Sequence, residues 1–276
     1  MPELEFITHG RRWRALLAEP WDLAIPLQFP GPQPRFFAEG PASAAPLRVG
    51  RFTGEVASGA SCNCRVYTLA PHCHGTHTEC VGHVTGDATQ LAEFTPVPPA
   101  LAALLTVRPE PPGVAGVGEP GANSATDLVV SRALLAGAAA RWARDPWTAL
   151  VVRTLPNDPG KRYRAYQGPS PAPYFTADAM HWIVERGVTS LVVDLPSLDR
   201  ADDGGRLAAH RVFWGLPPGA LDARRSRRQR ALVTELAYIP DDARDGLYLL
   251  DLHVPAFATD AAPSRPVLYP VAEATP

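Results

Sequence analysis

Residues 71–87 read PHCHGTHTECVGHVTGD and concentrate the reactive side chains of this 276-residue chain, with four of its eight histidines and two of its four cysteines. If the run is extended, successive side chains point to opposite faces. One face then carries a thiol, two imidazoles and a carboxylate, from Cys73, His77, Glu79 and His83. On a helix the same donors would scatter around the axis. Because these groups are common ligands of zinc, manganese and iron, the run predicts a metal site.

The opposite face of the same run offers a rival set of ligands, His72, His74 and Cys80. It has no carboxylate, and two threonines interrupt it, so we rank it below the first set. A metal-free interpretation also stands, since one histidine in a polar loop is usually a surface residue and one buried cysteine usually acts as a small hydrophobe. The two imidazoles and the carboxylate that share the first face favour the metal site.

The run CHGTHTECVGH at residues 73–83 resembles the signature of a family of metal-dependent hydrolases, the bacterial kynurenine formamidases and related cyclases. That signature is His-x-Gly-Thr-His-x-Asp-x-Pro-x-His. Gly75, Thr76, His77 and His83 match it. Beyond the motif, the resemblance extends in outline over residues 148–238.

This chain also departs from the family motif. Glu79 occupies the position of the aspartate and keeps a carboxylate on a longer side chain, while Cys73 replaces the first histidine and Val81 replaces the proline. Asp87 stands four residues after His83, where the family carries a histidine that moves protons. Two alternatives stay open for Cys73: as a thiolate it would be a good zinc ligand, and as a neutral thiol it would leave a site for a single ion.

Two residues outside the run are further candidates. Glu235, in ALVTELAYI, would lie on an apolar strand face, where a carboxylate is costly unless it is paired or coordinated. His210, in AAHRVFWG, is flanked by apolar residues, and a lone histidine in such a place is usually a core residue. The resemblance implies a metal-binding histidine at His210 and a second metal carboxylate at Glu235.

The segment DLPSLD at residues 194–199 follows a predicted buried strand and resembles a segment of the same family. Loops at strand ends are where ligands bind in α/β folds, so this position suits a site. For Asp194 the alternative of a turn carboxylate that caps backbone amides stays open.

The pattern of apolar residues predicts an α/β fold. Continuous apolar runs at 148–154 (TALVVRT) and 190–194 (SLVVD) are typical of buried strands. Between them, Thr176 is a candidate N-cap for a helix that ends before Gly187, which completes a crossover unit. The resemblance implies a mixed-sheet, barrel-like swivelling β/β/α domain.

Proline is unusually frequent in the chain, with 31 residues. Residues 1–48 combine prolines with aromatic side chains and show no regular period, which predicts an irregular, proline-rich N-terminal arm. Residues 49–276 are expected to form the cyclase-like metal-dependent hydrolase domain, closed by strands at 246–254 and 265–271.

Composition limits the partners of the protein. Hydrophobic residues make up 46% and charged residues 20% of the chain, as in ordinary globular proteins, and the net charge of −2 favours neither nucleic acid nor membranes as partners. The N-terminus has no secretory pattern, and no segment approaches a membrane span. We therefore expect a cytoplasmic protein with reduced cysteines and a small-molecule substrate. The resemblance implies a homo-oligomer.

The resemblance implies a metal-dependent amidohydrolase of the arylformamidase and cyclase type. Its substrate would be an N-formyl arylamine or a cyclic amide, attacked at the carbonyl by a water that a divalent ion activates. Glu235 would act in catalysis, and Asp87 would move the proton to the leaving nitrogen. Two other functions stay open: a metal- or small-molecule-binding protein without turnover, and a cyclase or dehydratase acting on an aromatic polyketide-like compound. The candidate ligands of one or two zinc or manganese ions are Cys73, His77, Glu79, His83, His210 and Glu235.

Overall fold

The computed structural model describes residues 2–37, 40–113, 126–166 and 171–274. None of the helices in these ranges is long and apolar enough to span a membrane. The strands are β1 (Glu3–Thr8), β2 (Arg11–Leu16), β3 (Trp21–Asp22), β4 (Ser43–Pro46), β5 (Arg48–Val49), β6 (Phe52–Thr53), β7 (Arg65–Thr68), β8 (His77–Glu79), β9 (Ala100–Val107), β10 (Val129–Val130), β11 (Ala149–Thr154), β12 (Tyr174–Phe175), β13 (Ser190–Val193), β14 (Leu232–Glu235), β15 (Gly246–His253), β16 (Ala261–Pro263) and β17 (Arg265–Glu273). The α-helices are α1 (Arg132–Ala139), α2 (Ala177–Glu185) and α3 (Ala208–Trp214).

One mixed sheet of eleven strands runs through the described ranges, in the order β1-β2-β17-β15-β9-β11-β13-β14-β8-β16, with β3 beside β17. Its central strands β9, β11, β13 and β14 are parallel, and β15 and β8 flank them in antiparallel pairing. Every residue of β11 is buried, as expected for a parallel strand that is covered on both faces. The predicted mixed α/β architecture is confirmed.

The central strands separate two hydrophobic cores. Leu150 and Val152 pack in one core with residues of all three helices. Ala149 and Val151 belong to the second core, which loop residues such as Ile239 cover. This division follows from the alternation of side chains along a strand. Because both faces are filled, the ends of the strands are the places left for a functional site.

The predicted crossover unit connects β11 to β13 through α2. The Thr176 side chain caps the helix by accepting a hydrogen bond from the Ala179 amide over 3.3 Å. The helix ends before Gly187, whose φ of 77° is the left-handed conformation typical of a helix C-terminus. β11 and β13 pair in parallel, so the prediction is confirmed. The segment 194–199 therefore leaves the sheet at the carboxyl end of β13.

The N-terminal segment is more regular than predicted. β1 and β2 form an antiparallel hairpin, and β2 pairs with β17, which adds the hairpin to the large sheet. In β2, Trp13 and Ala15 are buried while Arg12 and Arg14 are exposed. This alternation covers only six residues between turns, too few to stand out beside the nearby prolines. The domain boundary predicted at residue 48 stays a prediction.

Candidate metal centre

Only three residues of the histidine-rich run form a strand, β8. It lies between β14 and β16, with His77 paired opposite Glu235. His77 and Glu79 are two residues apart, and their ligand atoms lie within 4.8 Å of each other, as expected for one strand face. On either side the chain leaves the extended form and enters 3-10 turns, at Pro71–Cys73 and at Val81–Val84.

The turn before β8 changes which side chain reaches the cluster. Pro71 begins a 3-10 turn, and Gly75 then takes a φ of 81°, a left-handed conformation that glycine adopts readily. The alternation of an extended chain therefore does not reach Cys73. His72 faces the cluster, with its Nδ1 2.9 Å from Glu79 Oε2. Cys73 joins none of the ligand groups among the described residues, and its role as a ligand stays a prediction.

His210 enters the cluster from the first turn of α3, where Asp199 fixes it. The Asp199 carboxylate accepts hydrogen bonds from the Ala209 and His210 amides over 2.7 and 3.2 Å, and it lies 2.6 Å from His210 Nδ1. Free amides at a helix N-terminus stabilise such a carboxylate, which here also orients the ring. His210 Nε2 thereby points at Glu79 Oε1, 2.9 Å away, and at Glu235 Oε1, 3.2 Å away.

Glu235 ends β14, and the backbone around it fixes its position. The Leu198 amide donates a hydrogen bond to Glu235 Oε1 over 2.9 Å. The next residue, Leu236, has a φ of 52°, a left-handed conformation that is rare for a bulky side chain. Its amide donates to the Leu195 carbonyl over 2.9 Å, and its carbonyl accepts from Thr76 Oγ1 over 2.6 Å. These two bonds hold the strained turn beside the cluster.

His83 and Asp260 form the more open side of the cluster. His83 Nε2 lies 3.8 Å from Glu79 Oε2, and its Nδ1 lies 3.6 Å from Asp260 Oδ2. The rings of His83 and His72 stack with centroids 4.1 Å apart, and His72 Nε2 is 2.8 Å from Asp260 Oδ2. Asp260 lies just before β16 with its side chain 41% exposed. Sequence reasoning missed this residue, because a single aspartate in a loop is most often a turn residue.

The other members of the rival ligand set do not join the cluster. The Ala70 amide donates to His74 Nδ1 over 3.0 Å, and His74 Nε2 lies 3.0 Å from the Gly40 carbonyl, so both ring nitrogens contact the backbone. Burial raises the pKa of Cys80 to about 12, which keeps it a neutral thiol. Of this set only His72 belongs to a ligand group in the described ranges.

The buried carboxylates stay ionised because histidines surround them. Burial raises the pKa of Glu79, but His83 and His210 outweigh it and hold the pKa well below its usual range. Burial lowers the pKa of His210, but Glu79 and Asp199 hold it well above its usual value. Burial and the Glu79 charge raise the pKa of Glu235, while its histidine contacts lower it overall. Ionised carboxylates that lie close together and away from water suit a bound cation.

Four buried ligand atoms have no hydrogen-bond partner in the described part of the chain: His77 Nε2, His210 Nε2 and both carboxylate oxygens of Glu79. His210 Nε2 and Glu79 Oε1 are close, yet they are not aligned for a hydrogen bond. Unsatisfied polar atoms are costly inside a protein, and a divalent cation would satisfy these.

Ligand atoms within 4.8 Å of one another form three groups among the described residues. Glu79 belongs to two of the groups and lies between them. The residues present therefore fit one or two divalent ions. The groups are His72, His77 and Glu79; Glu79, His83 and His210; and His72, His83 and Asp260.

Asp87 lies in an exposed loop, where its carboxylate anchors the backbone. Its Oδ1 accepts from the Thr85 and Thr89 hydroxyls over 2.9 and 2.8 Å, and its Oδ2 accepts from the Ala223 amide over 2.5 Å. Burial tends to raise the pKa of Asp87, but the bonds from Ala223 and Thr89 lower it overall. Asp87 joins none of the ligand groups in the described ranges, and its role in proton transfer stays a prediction.

Asp194 lies outside the cluster and supports the end of the neighbouring strand. Its carboxylate accepts from the Thr154 amide over 2.9 Å and from Lys161 Nζ over 2.7 Å, and all three residues are buried. Asp194 thus caps a backbone amide, which was one of the two alternatives for it. The aspartate of this segment that reaches the cluster is Asp199.

Residues 20–200 match the sequence model of the Cyclase family, described as "Putative cyclase". Among solved structures, the chain is similar to a predicted metal-dependent hydrolase from Bacillus stearothermophilus, with a TM-score of 0.54 and 14% identity over 91% of this chain and 98% of that one. It is also similar to an isatin hydrolase bound to the product analogue thioisatinate, with a TM-score of 0.55 and 14% identity over 91% of this chain and 92% of that one. A novel cyclase is similar with a TM-score of 0.60 and 14% identity over 91% of this chain and 86% of that one. At these identities the likeness shows a shared fold. No curated protein matches the chain.

Proposed function

The chain belongs to the cyclase family, and from that premise we propose that it is a metal-dependent hydrolase that cleaves a carbon–nitrogen amide bond in a small molecule. The observation that carries the proposal is the set of buried, unpartnered ligand atoms on His77, Glu79 and His210. Without an ion, these atoms keep, among the described residues, only ion-pair contacts that make no aligned hydrogen bond, whereas a bound cation would satisfy them.

The ion would be a divalent cation such as zinc or manganese, held by imidazole and carboxylate groups. When bound, such an ion lowers the pKa of a water to about 7 and polarises a carbonyl oxygen. Glu79 lies at the centre of the ligand groups and contacts His210 on one side and His83 on the other. Two of the three ligand groups therefore depend on Glu79.

Glu235 is the residue best placed to accept a proton from the attacking water. Its Oε1 is held by the Leu198 amide and lies near His210, while its Oε2 has a single long contact of 3.5 Å, to His77 Nε2. The oriented carboxylate thus keeps one oxygen free to take a proton. This assignment agrees with the catalytic role that the sequence predicts for Glu235.

With a single ion held by His72, His77 and Glu79, His83 would not bind the metal and would be better placed than Asp87 to deliver a proton to the leaving nitrogen. Its side chain is 24% exposed, and its contacts of 3.6 and 3.8 Å are too long for hydrogen bonds. It can therefore turn toward a substrate that enters from the open side. The Asp87 carboxylate, by contrast, accepts hydrogen bonds from Thr85 and Thr89 of its own loop and from the distant Ala223 amide.

We propose an N-formyl arylamine or a cyclic amide as the substrate. The motif resemblance favours the first class, and the shared fold with an isatin hydrolase favours the second, because isatin is a cyclic amide. Both classes present a planar amide carbonyl, and in isatin, as in an N-formyl arylamine, the amide nitrogen is attached to an aromatic ring, so one assay series covers them.

The test is hydrolysis of N-formylkynurenine, isatin and a small panel of lactams by the purified chain, with and without added zinc or manganese. We expect metal-dependent product from at least one of them. Glu79→Gln should lower kcat/KM more than about 100-fold, beyond the usual effect of losing an outer hydrogen bond to a metal ligand. The matched control is Glu185→Gln. Glu185 lies on α2 and forms an exposed ion pair with Arg132 of α1, so its substitution should leave the rate unchanged.

Two results would contradict the proposal. Tight substrate binding without product at any metal concentration would indicate a binding protein without turnover. Product that forms equally well in the presence of a strong chelator, or in Glu79→Gln, would separate the activity from the metal centre.

A further inference from the structure

We infer that the first metal ligand of this chain is His72, one residue before the motif position that Cys73 occupies, so that the site is built from imidazole and carboxylate without a thiolate. The inference rests on the proposed metal-dependent function. It concerns a residue outside the family motif, and it assigns a role to Asp260 as well.

The buried histidines of the cluster share one arrangement of their two ring nitrogens. In His210, Nδ1 lies 2.6 Å from the Asp199 carboxylate and Nε2 points into the cluster. In His77, Nδ1 lies 3.1 Å from the Gly75 carbonyl and Nε2 points into the cluster. Histidines that bind metals typically donate their second N–H to a carboxylate or a carbonyl, which fixes the ring and its tautomer.

His72 has the same arrangement with its nitrogens exchanged. Its Nδ1 lies 2.9 Å from Glu79 Oε2 in the buried part of the cluster, and its Nε2 lies 2.8 Å from Asp260 Oδ2 on the open side. Asp260 therefore orients the His72 ring, as Asp199 orients the His210 ring. With His77 and Glu79, His72 completes a group of three ligand atoms within 4.8 Å.

The local backbone explains why His72 takes this place. Successive side chains in a 3-10 turn point about 120° apart, so His72 and Cys73 cannot both face Glu79. The turn is held from outside, because the Phe36 amide donates to the Cys73 carbonyl over 3.1 Å and the His74 ring contacts two backbone groups. The one-residue shift is thus built into the fold around the motif.

A ligand set of nitrogen and oxygen has a consequence for the choice of metal. Thiolates favour zinc and other soft ions, whereas imidazole and carboxylate also accept manganese and other harder ions. With His72 in place of Cys73, the centre is open to manganese as well as zinc. Cys73 then does not bind the ion.

The test uses cobalt(II) added to the metal-free full-length chain, with dissociation constants from calorimetry and near-ultraviolet absorption spectra. A cobalt–thiolate bond gives an intense charge-transfer band that imidazole and carboxylate ligands do not give. We expect binding without that band, no change in affinity for Cys73→Ser, and a loss of more than about 100-fold for His72→Ala. His253→Ala is the matched control, because His253 pairs with Asp251 at the surface over 2.9 Å.

A charge-transfer band that disappears in Cys73→Ser would overturn the inference and leave the metal-dependent function standing. Equal cobalt affinity of His72→Ala and wild type would do the same. Wild-type protein that binds no cobalt, zinc or manganese would overturn both. Because His72→Ala changes a packed ring, circular dichroism of each variant and the more conservative His72→Gln establish that the fold is kept.

Discussion

The buried and the open sides of the metal centre are built in different ways. On the buried side, His77 and Glu235 face each other across the paired strands β8 and β14. On the open side, the ligand atoms come from turns and a loop, and the side chains of His72, His83 and Asp260 are 24% to 41% exposed. Strand pairing fixes a residue through its register, whereas a turn can shift by one position. The turn on the open side is therefore where the chain brings in His72, a residue outside the family motif, whereas the buried departure at Glu79 keeps a carboxylate.

The largest effect on activity should come from the buried side, through Glu235→Gln. The amide keeps an oxygen for the Leu198 hydrogen bond, so the fold should persist, but the group that accepts the proton is lost. Loss of general base catalysis typically lowers rates by about 100- to 10,000-fold. Steady-state kinetics at saturating metal measure this change. An unchanged kcat would remove Glu235 from the mechanism and weaken the distinction between the two sides.

The next effect concerns the carboxylate behind a buried ligand, Asp199→Asn. His210 would lose a charged partner, and metal affinity should fall about 10- to 100-fold. Calorimetric titration with zinc or manganese measures the dissociation constant. Asp202→Asn, in the same loop and exposed, serves as the control and should bind metal like the wild type.

A smaller effect is expected for the matching carboxylate on the open side, Asp260→Asn. Asp260 is 41% exposed, and water can partly replace its contact with His72. We expect a loss of metal affinity of about 10-fold or less, in the same titration. If Asp260→Asn were as damaging as Asp199→Asn, exposure would not distinguish the two sides.

The smallest effect is expected from Asp87→Asn, outside both sides. The amide would weaken the hydrogen bonds to Thr89 and Ala223, at a cost of about 1 kcal/mol in the free energy of unfolding. Urea unfolding measures this cost, while metal affinity and kcat should stay at wild-type values. A variant of normal stability and greatly reduced kcat would instead support Asp87 as the carrier of protons.

Much of the buried side could be predicted from the sequence. His77 and Glu79 stand two residues apart, and a carboxylate within an apolar strand face, as at Glu235, needs a partner. The segment 194–199 was also recognised, although the sequence does not tell which aspartate turns inward. That choice depends on the amides at the start of α3, which only the packed structure brings to Asp199.

On the open side, the sequence predicts His83 as a ligand but ranks His72 only in the rival set and does not point to Asp260, for two physical reasons. Alternation holds only while the chain is extended, and the turn before Gly75 shifted the pattern from Cys73 to His72. Asp260 comes from a loop nearly at the other end of the chain, and this loop resembles a family segment only loosely. Its contact with His72 arises because β16 pairs with β8, a pairing of three residues that tertiary packing decides.

The fold, like the site, contains elements that the sequence predicts and elements that it does not. The buried strands β11 and β13 and the helix between them follow from long apolar runs and clear helix ends. The hairpin of β1 and β2 was missed, because six alternating residues give a weak pattern and its stability comes from pairing with β17. Long-range pairing, rather than local preference, decides such elements.

The hairpin of β1 and β2 also changes which strand ends the large sheet. It makes β1, rather than the apolar β17, the last strand of the sheet. Glu3 and Glu5 are exposed on β1 and form ion pairs with Arg14 and Arg12 of β2. Charged side chains on a terminal strand discourage a foreign strand from adding to it. We therefore expect the charged residues of β1 to hinder the pairing of a foreign strand at this end of the sheet.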